Sequence, residues 1–191
     1  MEELKNRVEQ CTKCPLHKSR NKVVFGNGNY QASVFLIGEG PGYEEDKAGE
    51  AFVGRSGKLL DKILLACNFT REVHVFIGNI VKCRPPGNRT PYPEEMEACL
   101  PYLEEQIEKV DPEIIITLGA TALKGLTGEN LKVTRERGKW RLWFNRMLMP
   151  TYHPSALLRN PSLKRDAWED FKKVILKYRE IIDQNHPCQY I

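Results

Sequence analysis

Four short apolar runs, at residues 33–37, 73–77, 114–118 and 147–149, punctuate the chain, and between them apolar residues recur at three- and four-residue steps. The short runs are of the length and composition of buried strands, and the spaced segments have the period of amphipathic helices. One helix is expected from Ser56 as its N-cap to about Cys67, with Leu59, Leu60, Ile63 and Leu64 on one face. A second is expected from Pro101 to Val110, because proline at the first helical position sacrifices no hydrogen bond. Pro161 and Ser162 open the longest, which carries Leu163, Ala167, Trp168, Phe171, Val174, Ile175, Tyr178 and Ile182 along one stripe. Residues 131–148 suit a hairpin turning near Gly138 or Asn145. Strands alternating with helices imply an α/β domain with a mostly parallel central sheet.

Three of the strands run into polar, conformationally unusual segments. Gly38-Glu39-Gly40-Pro41-Gly42 follows Ile37, Gly78-Asn79 follows Ile77, and Pro150-Thr151-Tyr152-His153-Pro154-Ser155 follows Met149. Open α/β sheets bind ligands outside the carboxyl ends of their strands, so these segments are expected to converge on one crevice.

The 191 residues suit a single domain spanning 1–191, large enough to fold around its own core. A content of 41% hydrophobic and 28% charged residues excludes a disordered chain. No apolar stretch reaches the ~18–20 residues of a membrane span. The start, Met1-Glu2-Glu3-Leu4-Lys5, lacks the apolar region of a signal peptide, so a soluble cytoplasmic protein is expected. The net charge of +4 is less informative than its distribution. Residues 94–113 hold eight acidic residues and one basic residue, whereas 129–146 hold six basic and two acidic ones. That separation suits one face that attracts phosphates and one that repels them; two solvated faces of opposite sign account for it equally well.

Cysteines stand at 11, 14, 67, 83, 99 and 188. Cys11-x-x-Cys14 is followed by Pro15, Cys83 lies in a Pro/Gly-rich stretch, and Cys99 comes sixteen positions later. In an intracellular protein, this set reads as a metal site and not as two disulfides. Zinc and an iron–sulfur cluster both use such ligands, although zinc sites usually show two tight knuckles and here only the first pair is tight. Cys67 and Cys188 suit ordinary thiols.

Gly38-Glu39-Gly40-Pro41-Gly42, Ala51-Phe52-Val53-Gly54, Gly78-Asn79-Ile80-Val81-Lys82-Cys83-Arg84-Pro85-Pro86 and His153-Pro154-Ser155, in that order and with those cysteines, resemble the family 4 iron–sulfur uracil-DNA glycosylases of bacteria and archaea. The resemblance runs from about Cys11 to the last helix. It implies a four-stranded parallel sheet flanked by helices, and a monomer that flips uracil out of single- or double-stranded DNA and hydrolyses its N-glycosidic bond. It also implies one [4Fe–4S] cluster, mainly structural, on Cys11, Cys14, Cys83 and Cys99, tying the N-terminus to the 83–99 region.

The same resemblance distributes the chemistry, which must extract the base, hold water near C1′ and stabilise a departing uracil anion. Asn79 reads the base edge, or else holds its own strand-end turn. Phe52 stacks on the uracil face, or belongs to the core. His153 donates to uracil O2, or caps the following helix. Gly40, Pro41 and Gly42 approach the base closely. Better-known family 1 enzymes carry an aspartate where Gly40 stands and a tyrosine where Gly42 stands. Glu39 is therefore the first candidate to serve the water and Glu45 the second, unless Glu45 crowds uracil C5 and excludes thymine. Leu157 is the expected DNA wedge, with a short buried helix as the alternative. Lys82, Arg84, Arg89 and Arg159 are the expected phosphate contacts. His17, His74 and His186 have no motif and read as structural. Rival functions are a zinc-bearing nucleic-acid-binding module without catalysis, another nucleotide hydrolase or transferase, and a glycosylase of broader base specificity.

Overall fold

The computed structural model describes all residues 1–191. After helix α1 (Glu2–Glu9) come strands β1 (Asn27–Gly28) and β2 (Val34–Gly38), helices α2 (Tyr43–Ala48) and α3 (Arg55–Ala66), and strand β3 (Val75–Asn79). Helix α4 (Pro93–Val110), strand β4 (Ile114–Leu118), and helices α5 (Ala120–Thr127) and α6 (Val133–Glu136) come next. Strands β5 (Arg141–Trp143) and β6 (Arg146–Thr151) and helices α7 (Pro154–Arg159) and α8 (Leu163–Ile181) complete the chain.

All four expected strands form, as β2, β3, β4 and β6, and they pair in parallel in the order β3-β2-β4-β6. The full sheet has six strands and is mixed, not purely parallel, because β1 and β5 add antiparallel edges. Those edge strands are two and three residues long, too short to leave a periodic signal. Alternation along the central strands divides the core. Phe35, Ile37, Phe76 and Ile115 face α1, α4 and α5, whereas Val34, Leu36, Val75 and Ile116 face α3 and α8. No helix is long and apolar enough to cross a membrane.

Two local expectations change, and the expected hairpin turns at the second of its two candidate positions. Pro101 lies inside α4, which starts at Pro93. The Glu95 carboxylate accepts from the Tyr92 N–H at 2.8 Å, so the helix is already capped eight residues earlier and buries Met96 and Cys99 along with its last turns. The cap of α3 is Gly54 and not Ser56. In the expected hairpin region, α6 comes first, and the turn between β5 and β6 is made by Phe144 and Asn145, both at positive φ.

Within α3, Gly57 is set by close approach: a Cβ there would lie inside the Phe52 carbonyl group. Alanine normally stabilises an exposed helix interior relative to glycine by about 1 kcal/mol. Gly57→Ala should instead destabilise by about 1–3 kcal/mol through overpacking, read as a lower midpoint of thermal or denaturant unfolding.

Candidate active site

The carboxyl ends of β2, β3, β4 and β6 open into a cleft of about 550 Å³. Glu39, Gly40, Pro41, Gly42, Phe52, Asn79 and His153 all line it, so the three post-strand segments do converge. The parallel register places Gly38 opposite Asn79. A Cβ on Gly38 would come within 2.5 Å of Asn79 Oδ1 and 2.6 Å of Phe52 Cζ, so only glycine allows those side chains to meet above the sheet. The Phe52 ring and the His153 imidazole lie 5.6 Å apart, centre to centre.

Asn79 is 2% exposed, yet its side-chain amide makes no hydrogen bond to the protein. Its turn is held from behind: Lys82 Nζ donates to the Asn79 backbone carbonyl at 2.8 Å. The amide donor and acceptor therefore remain available to a ligand in the cleft.

His153 does cap α7, and this fixes its chemistry. Nδ1 accepts from the Ser155 backbone N–H at 3.1 Å, with Ser155 Oγ also 2.8 Å away. An accepting Nδ1 places the proton of a neutral ring on Nε2, which has no protein partner. Burial, aided by the nearby positive charge of Arg159, pushes the imidazole pKa down to about 4. Gly119 allows β4 to pass this residue, since a Cβ there would sit 3.0 Å from His153 Cβ.

Phe52 itself adopts a positive φ of 55°, so its loop must be held in place. Arg71, which carries no sequence signal, donates to the carbonyls of Ala51 at 2.9 Å and Phe52 at 2.8 Å, and its guanidinium is anchored by Asp61 at 2.7 Å. From the other side Glu45 accepts from the N–H groups of Val53 (3.0 Å), Gly54 (2.8 Å) and Gly42 (3.2 Å). This corrects the expectation that Glu45 is a second water activator: both its oxygens are committed to backbone donors. Gly42 commits its N–H to Glu45, leaving Gly40 as the open donor of that turn. Glu39 lines the cleft and is the remaining carboxylate.

Other expected contacts are also redistributed. Leu157 is 1% exposed and packs with Tyr152 and Ala167, so it is not a wedge; its neighbour Leu158 is 37% exposed. Lys82 is 1% exposed and points inward, so it touches no phosphate. Its amine donates to Gln106 Oε1 as well as to Asn79, and burial lowers its pKa to about 8. Arg89 is paired with Glu95 at 2.7 Å, and Arg84 is bonded to Asn88 beside the Tyr43 ring. Arg159 is exposed at the cleft without a partner acid. Of the six basic residues in 129–146, Arg137, Arg141 and Arg146 are consumed by ion pairs with Asp170, Glu129 and Asp111. Lys132, Arg135 and Lys139 stay exposed, the first two flanking Val133 at the cleft rim. His17 and His186 bond backbone carbonyls, as structural residues do.

Behind the cleft, Cys11, Cys14, Cys83 and Cys99 line one small, tight cavity together with Arg20, Lys82 and Tyr102. Arg20 donates to Cys83 Sγ at 3.2 Å and the Lys13 N–H approaches Cys11 Sγ at 3.5 Å. Burial raises the Cys14 and Cys83 thiols and pushes Cys99 up to about 11. No three of these thiols come together as ligands of one metal ion, whereas a single zinc needs its ligands at one point. Four thiols with N–H donors and cationic neighbours fit a polynuclear cluster whose metals each take one ligand.

The uracil DNA glycosylase superfamily model matches residues 25–172. A Thermotoga maritima protein named Type-4 uracil-DNA glycosylase is 49% identical over 177 residues, covering 91% of this chain and 92% of its own length. Its namesake from Sulfurisphaera tokodaii is 43% identical over 182 residues, 91% of this chain and 83% of the relative. That of Saccharolobus solfataricus is 44% identical over 177 residues, 88% of this chain and 82% of the relative.

A free histidine titrates near 6.5, so between about pH 6.5 and about pH 4 the unfolded chain takes up a proton that folded His153 refuses, and this residue lowers stability as pH falls through that window. In the same window the imidazole stays a neutral donor. Single-turnover base release should therefore show no His153-dependent inflection near pH 6.5 and should fall only towards about pH 4; comparison of wild type with His153→Gln across the range checks this.

Proposed function

This chain belongs to the uracil DNA glycosylase superfamily and stands among its type-4 members, and from that premise we propose that it removes uracil from DNA by hydrolysing the N-glycosidic bond, leaving an abasic site. The observation that carries this reading is the buried Asn79 amide, without a protein partner, beside the Phe52 ring and the Nε2–H of His153.

Uracil extruded from the stack enters with one face on Phe52, a contact worth about 1–3 kcal/mol. The Asn79 amide donates to O4 and accepts from N3–H. Cytosine presents the reverse pattern and leaves the buried amide unpaired, at about 1–3 kcal/mol per group. As the glycosidic bond lengthens, negative charge gathers on the base, and the His153 Nε2–H donates to O2 in a site shielded from water. The open N–H of Gly40 adds a second donor, and Glu39 orients the water that meets C1′. Leu158 fills the gap left in the duplex, with Arg159, Lys132, Arg135 and Arg84 on the phosphates.

Cys11, Cys14, Cys83 and Cys99 hold a [4Fe–4S] cluster, whose contribution when bound is to tie α1 and its following loop to β3 and α4. Protein purified without oxygen should carry about four irons per chain and absorb broadly near ~400 nm; colourless protein with stoichiometric zinc would overturn this assignment.

The glycosylase reading is tested with oligonucleotides bearing one uracil, thymine, cytosine or hypoxanthine, scored as alkali-labile breaks. Uracil strands should break and thymine and cytosine strands should not. Asn79→Asp should lower uracil excision by about 5- to 150-fold, the equivalent of one lost and one unpaired group, and narrow the uracil-to-cytosine ratio. An unchanged ratio would remove Asn79 from base recognition.

A further inference from the structure

Lys82 is among the largest fully buried side chains, and it lies between the two sites of the molecule. Its Nζ donates to the Asn79 backbone carbonyl at 2.8 Å and to Gln106 Oε1 at 2.5 Å. Gln106 is itself fixed, because its amide nitrogen donates to the Phe25 carbonyl at 2.8 Å. Both acceptors are neutral, and a buried ammonium requires an opposite charge nearby. No carboxylate pairs with it; the ionisable groups within its field are Cys83 and Cys99, and Lys82 lines the four-cysteine cavity beside them. Lysine at this point therefore touches the base-recognition strand with its tip while standing at the edge of the sulfur site.

We propose that Lys82 is a positioning residue that couples the four-cysteine site to base recognition, its ammonium balancing the negative charge of the sulfur-bound group while it clamps the Asn79 main chain. The inference rests on the glycosylase reading for its effect on uracil, and on the cysteine geometry for its electrostatic half. Rotating or releasing the Asn79 peptide moves an amide that must meet two base atoms at hydrogen-bond distance, and such contacts are sensitive to displacements well below 1 Å. A cavity-filling lysine without this role would leave selectivity and electrostatics unchanged when replaced by an apolar side chain of similar length.

The test is Lys82→Met in the iron-loaded protein, with Gln106→Leu as a second, milder variant that leaves the lysine in place. Three readouts are taken: affinity for an oligonucleotide bearing a hydrolysis-resistant 2′-fluoro-deoxyuridine against one bearing an abasic analogue, the uracil-to-cytosine ratio, and the reduction potential of the cluster by voltammetry. Lys82→Met is expected to weaken binding of the uracil analogue about tenfold, the scale of one lost charge-assisted contact, with abasic binding unchanged. Its selectivity ratio should narrow and its potential should move negative, because a positive charge has been removed beside the cluster. Gln106→Leu should loosen uracil binding in the same direction. Wild-type binding, selectivity and potential in a folded Lys82→Met would overturn the proposal. If Lys82→Met does not fold, wild-type behaviour of Gln106→Leu in uracil binding overturns it. Failure of the glycosylase reading looks different: wild-type protein would then leave uracil strands intact while the potential still responds to Lys82→Met.

Discussion

Parallel pairing of β2 with β3 places Gly38 directly opposite Asn79, and the cleft is laid out from that register. A slip of one residue would send Asn79 to the other face of the sheet and put a side chain where Gly38 now leaves room for Phe52 and Asn79. The register is carried by the burial of Val34, Phe35, Leu36 and Ile37 against Val75, Phe76 and Ile77, all without solvent exposure. It continues past the strands, since Ile80 and Val81 donate to the carbonyls of Gly38 and Glu39. The polar chemistry is thus aimed by the apolar core beneath it. On the adjoining pair, β4 and β6 do the same for His153, with Gly119 donating to the Thr151 carbonyl at 2.9 Å.

Where the sheet does not reach, charged side chains hold the backbone. Phe52 sits in a loop at positive φ, a conformation that costs of order 1–3 kcal/mol unless the surroundings over-determine it. Arg71 takes two carbonyls on one side of this residue and Glu45 takes two amides on the other, so the peptide plane after Phe52 is gripped from both polar ends. A carboxylate accepting three backbone N–H groups organises a loop, and both its oxygens are already occupied in doing so. Glu39, free of such duties, is left as the acid residue of the cleft.

The strands and the convergence of their ends are legible in the sequence because burial on both faces leaves continuous apolar runs, and because glycine and proline mark the loops beyond them. Glu39, Phe52, Asn79 and His153 stand out through motif order, and they share one cleft. Side-chain direction is the hidden quantity. Leu157 and Leu158 look interchangeable in a string, yet on a one-and-a-half-turn helix one faces the core and the other does not. Lys82 reads as a phosphate contact because lysine is normally solvated; only the packing of α4 over β3 shows that it is turned inward. Arg71 and Glu45 grip the Phe52 loop through backbone groups 8 to 20 positions away, and no spacing rule anticipates such clamps. The edge strands and the early start of α4 escape the sequence for a simpler reason, since short strands lack a period and Pro101 imitates a first-turn proline.

The charge states in the cleft arise from this architecture and, on the proposed glycosylase reading, bear on how the leaving base is stabilised. With its pKa near 4, keeping His153 protonated at neutral pH would cost about 4 kcal/mol before any substrate arrives. An imidazolium would attract the uracil anion more strongly, but it would also bind the ground state and lose that energy to desolvation. The neutral ring avoids that cost, and its proton is already on Nε2 because Ser155 occupies Nδ1. A donor that is fixed, uncharged and shielded from water gains strength as charge develops on O2, which is the condition for favouring the transition state over the bound base. The base recognition proposed for Asn79 needs the same dryness, since an amide exposed to water would discriminate uracil from cytosine weakly. On that reading burial serves selectivity and anion stabilisation together, and the absence of a side chain at Gly38 leaves room for both Asn79 and Phe52 in the buried site.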